Sequence, residues 1–187
     1  ANLGKFVQTP NIYFNCHLDY IYYLCQDIGH ICNGILENMP VLEKIVISDF
    51  RNIQLQELEF SPNVNCISGN NGEGKTNLLD AIYYLSMTKS AFAASDRFCF
   101  RHGTDEFSIS GLYRMENSLG SRFSLRMTSK GEKKVKRDDK PYGKVSEHIG
   151  VLPIVMVSPS DISMVSESGE ERRRFVNAVL SQMDREY

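Results

Sequence analysis

An eight-residue glycine loop constrains this chain more than any other feature of its sequence. Residues 69–76 read GNNGEGKT and match the phosphate-loop pattern GxxxxGK[ST]. Glycines permit backbone torsions that side chains would forbid, so successive N–H groups can face a phosphate. Lys75 would supply a charge to the β- and γ-phosphates, and the Thr76 hydroxyl would bind Mg²⁺. The predicted nucleotide-binding residues are Gly69, Asn70, Asn71, Gly72, Glu73, Gly74, Lys75 and Thr76.

The segments on either side of the loop have the patterns that such a loop requires. Val64 to Ser68 is a short apolar run, which predicts a strand leading into the loop. Lys75 to Met87 carries apolar residues at helical spacing, which predicts a helix whose N-terminus faces the phosphates. We therefore expect an α/β fold of the P-loop NTPase class, with Lys75 on a solvent-facing loop.

Further strands are predicted before and after this core. Val41 to Ser48 is rich in β-branched residues, and Leu55, Leu58 and Phe60 mark a second strand. The other predicted elements are strands at 107–113 and 122–127, a charged hairpin at 130–144, a buried strand at 152–157 and a helix at 170–183. In that helix, the residues expected to face the core are Phe175, Val176, Val179 and Leu180.

The motif content narrows the class of P-loop protein. A GTPase would need NKxD and DxxG motifs, and neither occurs in the chain. A small kinase would usually start at the P-loop strand itself. Here about 29 residues of largely strand-like sequence separate Met39 from the loop. This spacing favours an ATPase with a β-subdomain placed before the loop.

Composition excludes several other classes. The 187 residues are 42% apolar and 24% charged, which indicates a globular chain and not a disordered or collagen-like one. No apolar run approaches the length of a membrane span. The five cysteines include no CxxC pair, which favours a reducing, cytoplasmic setting. Residues 1–38 differ in composition, and we interpret them as an N-terminal extension before a domain at 39–187.

The chain contains, in this order, Phe50-Arg51-Asn52, GNNGEGKTNLLDAIYYLS, Thr88-Lys89-Ser90, VSPSD at 157–161, Glu171 to Phe175, and LSQMDREY at 180–187. Together these motifs resemble those of the RecF family of bacterial recombination mediators. The resemblance implies an ABC-type ATPase head, akin to the structural-maintenance-of-chromosomes (SMC) proteins, that binds ATP and dimerises on DNA. It implies binding near single-strand/double-strand junctions, and work with RecO and RecR to load RecA. It also adds Arg51 to the nucleotide site.

The chain departs from a complete ABC head. Such a head also needs a signature loop, a Walker B strand that ends in Asp-Glu, and a switch histidine. Ser166 to Glu170 resembles a signature loop only superficially, and no acidic pair follows the apolar run at 152–157. We therefore predict the first lobe of the head, a β-subdomain plus a P-loop strand–loop–helix core, with no catalytic residue. By itself it would hydrolyse ATP very poorly, because nothing orients the attacking water.

Two alternatives stay open from the sequence. One is another SMC-like DNA-repair ATPase head, and the other is a non-catalytic nucleotide- or DNA-binding fragment.

One stretch is strongly basic although the chain has a net charge of −2. Residues 122–144 carry nine Lys or Arg against three Asp or Glu. Basic side chains on a strand pair can follow a phosphate backbone, although the same charges can also protect a sheet edge in solvent. The predicted DNA contacts in this stretch are Lys133, Lys134, Lys136 and Arg137.

Overall fold

The computed structural model describes residues 40–62, 65–115, 119–158 and 169–183. Within these ranges the chain forms one six-stranded antiparallel sheet, two α-helices and two 3₁₀ turns. The strands are β1 (Val41–Phe50), β2 (Ile53–Glu59), β3 (Glu106–Arg114), β4 (Gly120–Thr128), β5 (Lys133–Arg137) and β6 (Lys140–Pro141), in the order β2-β1-β3-β4-β5-β6. The helices are α1 (Lys75–Met87) and α2 (Gly169–Met183), and the 3₁₀ turns are Asp96–Cys99 and Val145–His148.

The core lies between one face of the sheet and α1. Successive side chains of a strand point to opposite faces, so alternate residues of β1, β3, β4 and β5 are buried. Leu78, Ile82 and Leu85 bury the facing side of α1. The helix approaches the sheet closely at Gly111, where an added Cβ would stand 2.8 Å from Leu85 Cδ2. The buried residues of the sheet face include Ile45, Ile47, Phe107, Ile109, Phe123, Leu125, Met127 and Val135.

Most of the predicted elements are confirmed, and so is the fold class. The predicted helix at 75–87 is α1, and the strands predicted at 41–48, 107–113 and 122–127 lie within β1, β3 and β4. The second predicted strand is β2, although Leu55 on it is exposed. The charged hairpin at 130–144 contains β5 and β6, and β5 pairs with β4.

The predicted buried strand at 152–157 is wrong. Leu152 is buried, but Val155 is 43% exposed and only Val157 takes part in a single bridge. Pro153 has no N–H to donate. The Gln182 side chain accepts from Ile154 N at 2.8 Å and donates to Ile154 O at 3.1 Å. A side-chain amide therefore takes the backbone groups that a neighbouring strand would have used.

The strand predicted at 64–68 is not regular either. Val64 lies outside the described residues, and between Asn65 and Ser68 only Cys66 takes part in a bridge. The Asn65 side chain accepts from Ser61 N at 2.7 Å and donates to Ser61 O at 3.0 Å, which holds the preceding turn. The chain consequently enters the glycine loop as an extended segment.

The predicted inward face of α2 is also wrong for three of its four residues. Phe175, Val176 and Leu180 are exposed, and Val179 is half-buried. Near the end of the helix, the Gln182 side chain bonds to Ile154 and its main chain passes close to Gly150. Among the described residues, nothing covers the side of α2 that carries Phe175, Val176 and Leu180, so these side chains stay exposed.

Candidate nucleotide-binding site

The glycine loop ends where α1 begins, and its backbone geometry requires glycine at two positions. Gly72 has φ 83° and Gly74 has φ 103°, both in the left-handed region that side chains disfavour. Gly74 is the N-cap of α1, and among the described residues no side chain caps the helix with a hydrogen bond. The first-turn N–H groups are therefore left for a ligand, and the helix dipole favours an anion there.

Lys75 itself is buried, although it sits on a loop that the sequence predicts to face solvent. Its ammonium Nζ donates to Gly69 O at 2.6 Å and to Asn70 O at 2.8 Å. The side chain thus folds back across the loop and places its charge against the loop's own carbonyl groups. A phosphate that enters the loop would meet this charge at the site where the motif requires it.

The outer part of the loop is braced by Glu73. Its carboxylate accepts from Asn70 N and from Asn70 Nδ2, each at 2.9 Å. Asn70, Asn71 and Gly72 are exposed, whereas Thr76 is half-buried on the first turn of α1. The eight predicted residues thus form one contiguous cradle whose mouth is open to solvent.

Arg51 lies beside this cradle, but its guanidinium is engaged with protein groups. Nη2 lies 2.6 Å from Asp80 Oδ2 and donates to Ser90 Oγ at 3.0 Å, and Nη1 donates to Asn77 Oδ1 at 3.1 Å. The Asp80 side chain is completely buried and also accepts from Ala91 N at 2.8 Å. Burial raises the pKa of the Asp80 carboxyl, and Arg51 opposes this effect.

Two residues of this neighbourhood were missed by the sequence prediction of the site. Asn52 Nδ2 donates to Gly72 O at 3.2 Å and Asn52 Oδ1 accepts from Asn77 Nδ2 at 2.8 Å, so Asn52 contacts the loop directly. Asp80 binds Arg51 from the buried face of α1. The sequence carries a signal for each, since Asn52 follows Arg51 and Asp80 interrupts an apolar helix face.

The structure divides the predicted DNA contacts into two pairs. Lys133 and Arg137 lie on the core side of β5 together with Val135. Lys133 Nζ donates to Thr88 O at 2.7 Å and pairs with Asp96 at 2.8 Å. The Arg137 guanidinium lies 5.4 Å from the centre of the Phe123 ring.

Lys134 and Lys136 lie on the opposite, exposed face of β5. The register places Lys134 opposite Arg126 and Lys136 opposite Ser124 of β4. Arg122 is also exposed, two residues before Ser124 on the same strand. This outer face therefore groups four basic residues on two adjacent strands.

Other sequence predictions lie partly or wholly outside the described residues. These include the extension at 1–38, the signature-like residues 166–168 and most of the VSPSD motif. In the described part, Cys66 and Cys99 are free thiols, and no group of three His, Cys, Asp or Glu could hold a metal ion. Neither α1 nor α2 is long and apolar enough to cross a membrane.

The chain can be compared with a protein-family model and with known proteins of similar sequence. A family model for an AAA domain matches residues 44–182. The DNA replication and repair protein RecF of Phocaeicola vulgatus is 43% identical over 147 residues, which are 79% of this chain and 40% of that protein. RecF of Porphyromonas gingivalis is 40% identical over the same share of each chain. The chain thus spans about 40% of the length of these relatives.

Solved structures of RecF and of an SMC ATPase are also similar to this chain. The recombination mediator protein RecF with ATP is 31% identical, with a TM-score of 0.72 over 79% of this chain and 40% of that one. An SMC ATPase is 18% identical, with a TM-score of 0.62 over 74% of this chain and 99% of that one, and shows the shared fold.

Proposed function

Since the chain belongs to the AAA domain family and matches the N-terminal part of RecF proteins, we propose that it binds ATP with Mg²⁺ as the first lobe of a RecF-like ATPase head. The observation that carries the proposal is the uncapped N-terminus of α1 at the end of a complete phosphate loop. The Lys75 ammonium already lies against the loop, where it donates to Gly69 O and Asn70 O.

The chemistry of the site suits a triphosphate. The backbone N–H groups of the loop and the helix dipole would bind the phosphate oxygens, and Lys75 would exchange its two carbonyl partners for phosphate. Thr76 supplies a hydroxyl on the first helical turn for Mg²⁺. The described residues include no cluster of carboxylates near the loop that could hold this ion without nucleotide.

Isothermal titration calorimetry of the 187-residue chain with ATP and Mg²⁺ tests the proposal. Lys75→Ala should remove most of the ATP binding, because the loop would lose its only full positive charge. Lys89→Ala is the matched control, since Lys89 is an exposed lysine just after α1 and should leave the affinity unchanged. Lys75 is buried, so the melting temperature without nucleotide must be measured for each variant. Equal ATP affinity in wild type and folded Lys75→Ala would contradict the proposal.

DNA binding by the outer face of β4 and β5 is a second proposed role. Arg126 and Lys134 stand directly opposite each other across the strand pair, where like charges destabilise a sheet. A bound polyanion would relieve this repulsion. Arg126 has one carboxylate partner in Glu106, and Lys134 lies 3.7 Å from Glu132. The face would hold phosphates without reading sequence.

The wider role follows the relatives and is proposed on that ground alone. RecF is named a DNA replication and repair protein and a recombination mediator. We infer that the complete protein dimerises with ATP, binds single-strand/double-strand junctions in the cytoplasm, and loads RecA together with RecO and RecR.

A further inference from the structure

The carbonyl of Gly72 is held from outside the glycine loop by a residue that no phosphate-loop motif contains. Asn52 Nδ2 donates to Gly72 O at 3.2 Å. The carbonyl can only accept, so the nitrogen of the amide must face it. The amide oxygen is then free to accept from Asn77 Nδ2 at 2.8 Å, which fixes the orientation of the Asn52 side chain from both ends.

This contact also fixes the direction of the next backbone N–H. Gly72 C=O and Glu73 N–H belong to one planar trans peptide group, in which the two bonds point in opposite directions. Glu73 N currently donates to Asn70 O at a long 3.4 Å. Lys75 Nζ donates to the same oxygen at 2.8 Å. The Glu73 N–H and the Lys75 ammonium therefore face the same interior of the loop, where a phosphate would bind.

Asn52 is itself anchored in the body of the domain. Asn77, its partner, accepts from Arg51 Nη1 at 3.1 Å, and Arg51 is paired with the buried Asp80. The Asn52 side chain also packs over Gly74, where an added Cβ would stand 2.8 Å from Asn52 Oδ1. A chain of polar contacts thus connects the buried face of α1 to one peptide group of the loop.

We propose that Asn52 is a positioning residue of the phosphate loop, which turns the Gly72–Glu73 peptide so that Glu73 N–H binds a phosphate oxygen of the nucleotide. The proposal rests on the proposed ATP binding and adds a residue outside the loop to it. Asn52 would touch no part of the nucleotide and would act through the backbone of Gly72.

Two neutral substitutions separate this role from simple packing. Asn52→Leu keeps the branched shape and the number of side-chain heavy atoms but cannot donate to Gly72 O, and Asn52→Ser is too short to reach it. We expect both to bind ATP with Mg²⁺ about threefold to tenfold more weakly in calorimetry, the range for one lost hydrogen bond. Gln54→Leu is the matched control, because Gln54 is an exposed amide on β2 and should change the affinity less than about twofold.

A second measurement follows the peptide group itself. In ¹⁵N NMR spectra of the wild type, the Glu73 amide signal should shift strongly when ATP is added, and in Asn52→Leu this shift should be much smaller. Melting temperatures without nucleotide show whether each variant is folded.

The outcomes distinguish this proposal from the one on which it rests. Wild type that fails to bind ATP would overturn both. Wild type that binds ATP, with Asn52→Leu binding equally well and showing the same Glu73 shift, would overturn the role of Asn52 alone.

Discussion

Arg51 is expected to stabilise the fold by compensating a buried charge, and Arg51→Ala tests this directly. The Asp80 side chain has no exposed surface, and its nearest cation is Arg51 Nη2 at 2.6 Å. Removing one partner of a buried ion pair typically costs about 3–5 kcal/mol, because the remaining charge is uncompensated. Ser90 Oγ and Ala91 N still donate to the carboxylate, so we expect the lower end, about 3 kcal/mol. For a chain of this size that corresponds to a melting temperature roughly 6–12 °C lower.

The loss of stability in Arg51→Ala should increase with pH. Burial already raises the pKa of Asp80, and without Arg51 no other cation of the described residues opposes that effect. A carboxyl whose pKa is raised in the folded state loses stability as the pH rises through that pKa. The deficit of Arg51→Ala relative to wild type should therefore be larger at pH 7.5 than at pH 5.

A double variant provides the decisive comparison. Asp80→Asn in the Arg51→Ala background removes the buried charge and keeps the shape of the side chain. We expect it to recover about 1–2 kcal/mol of unfolding free energy at pH 7.5, measured by urea unfolding followed by circular dichroism. If the double variant is no more stable than Arg51→Ala, uncompensated charge on Asp80 is not the cause of the loss.

Two further predictions concern buried histidine and exposed lysine. His148 is buried, and its Nε2 lies 2.7 Å from Leu85 O. Burial lowers the pKa of His148 from 6.5. Wild type should therefore lose stability as the pH falls below about 6.5, by up to about 1.4 kcal/mol per pH unit. His148→Gln, which takes up no proton, should lose less between pH 7.5 and 5.5 in urea unfolding, and equal losses would contradict this account. Lys134→Gln with Lys136→Gln should reduce the salt dependence of DNA binding by about two units of log–log slope in fluorescence anisotropy. Lys133→Gln should leave that slope nearly unchanged, because the Lys133 ammonium pairs with Asp96. Equal slopes in wild type and the Lys134/Lys136 double variant would show that the outer face has no role in DNA binding.

The geometry of the glycine loop could be predicted from sequence because its residues are consecutive. Gly69 to Thr76 need only their own backbone torsions and the start of one helix, and those depend on local residue types. The bounds of α1 followed from apolar spacing for the same reason. The antiparallel strands β3 and β4 were predictable because apolar and polar residues alternate along a strand that buries only one face.

Which residues contact the loop depends on tertiary packing. Asn52 and Gly72 are 20 residues apart, and Arg51 and Ser90 are 39 apart, so no local pattern shows that they meet. The basic stretch likewise reads as uniform charge, yet strand alternation turns Lys133 toward Asp96 and Lys134 toward solvent. The segment at 152–157 has the composition of a strand, but a strand requires a neighbour to pair with, and there Gln182 of α2 supplies the hydrogen bonds instead. Composition sets what a segment can form, whereas its partners in space set what it does form, because backbone hydrogen bonds and buried charges must be satisfied by whichever groups lie nearest.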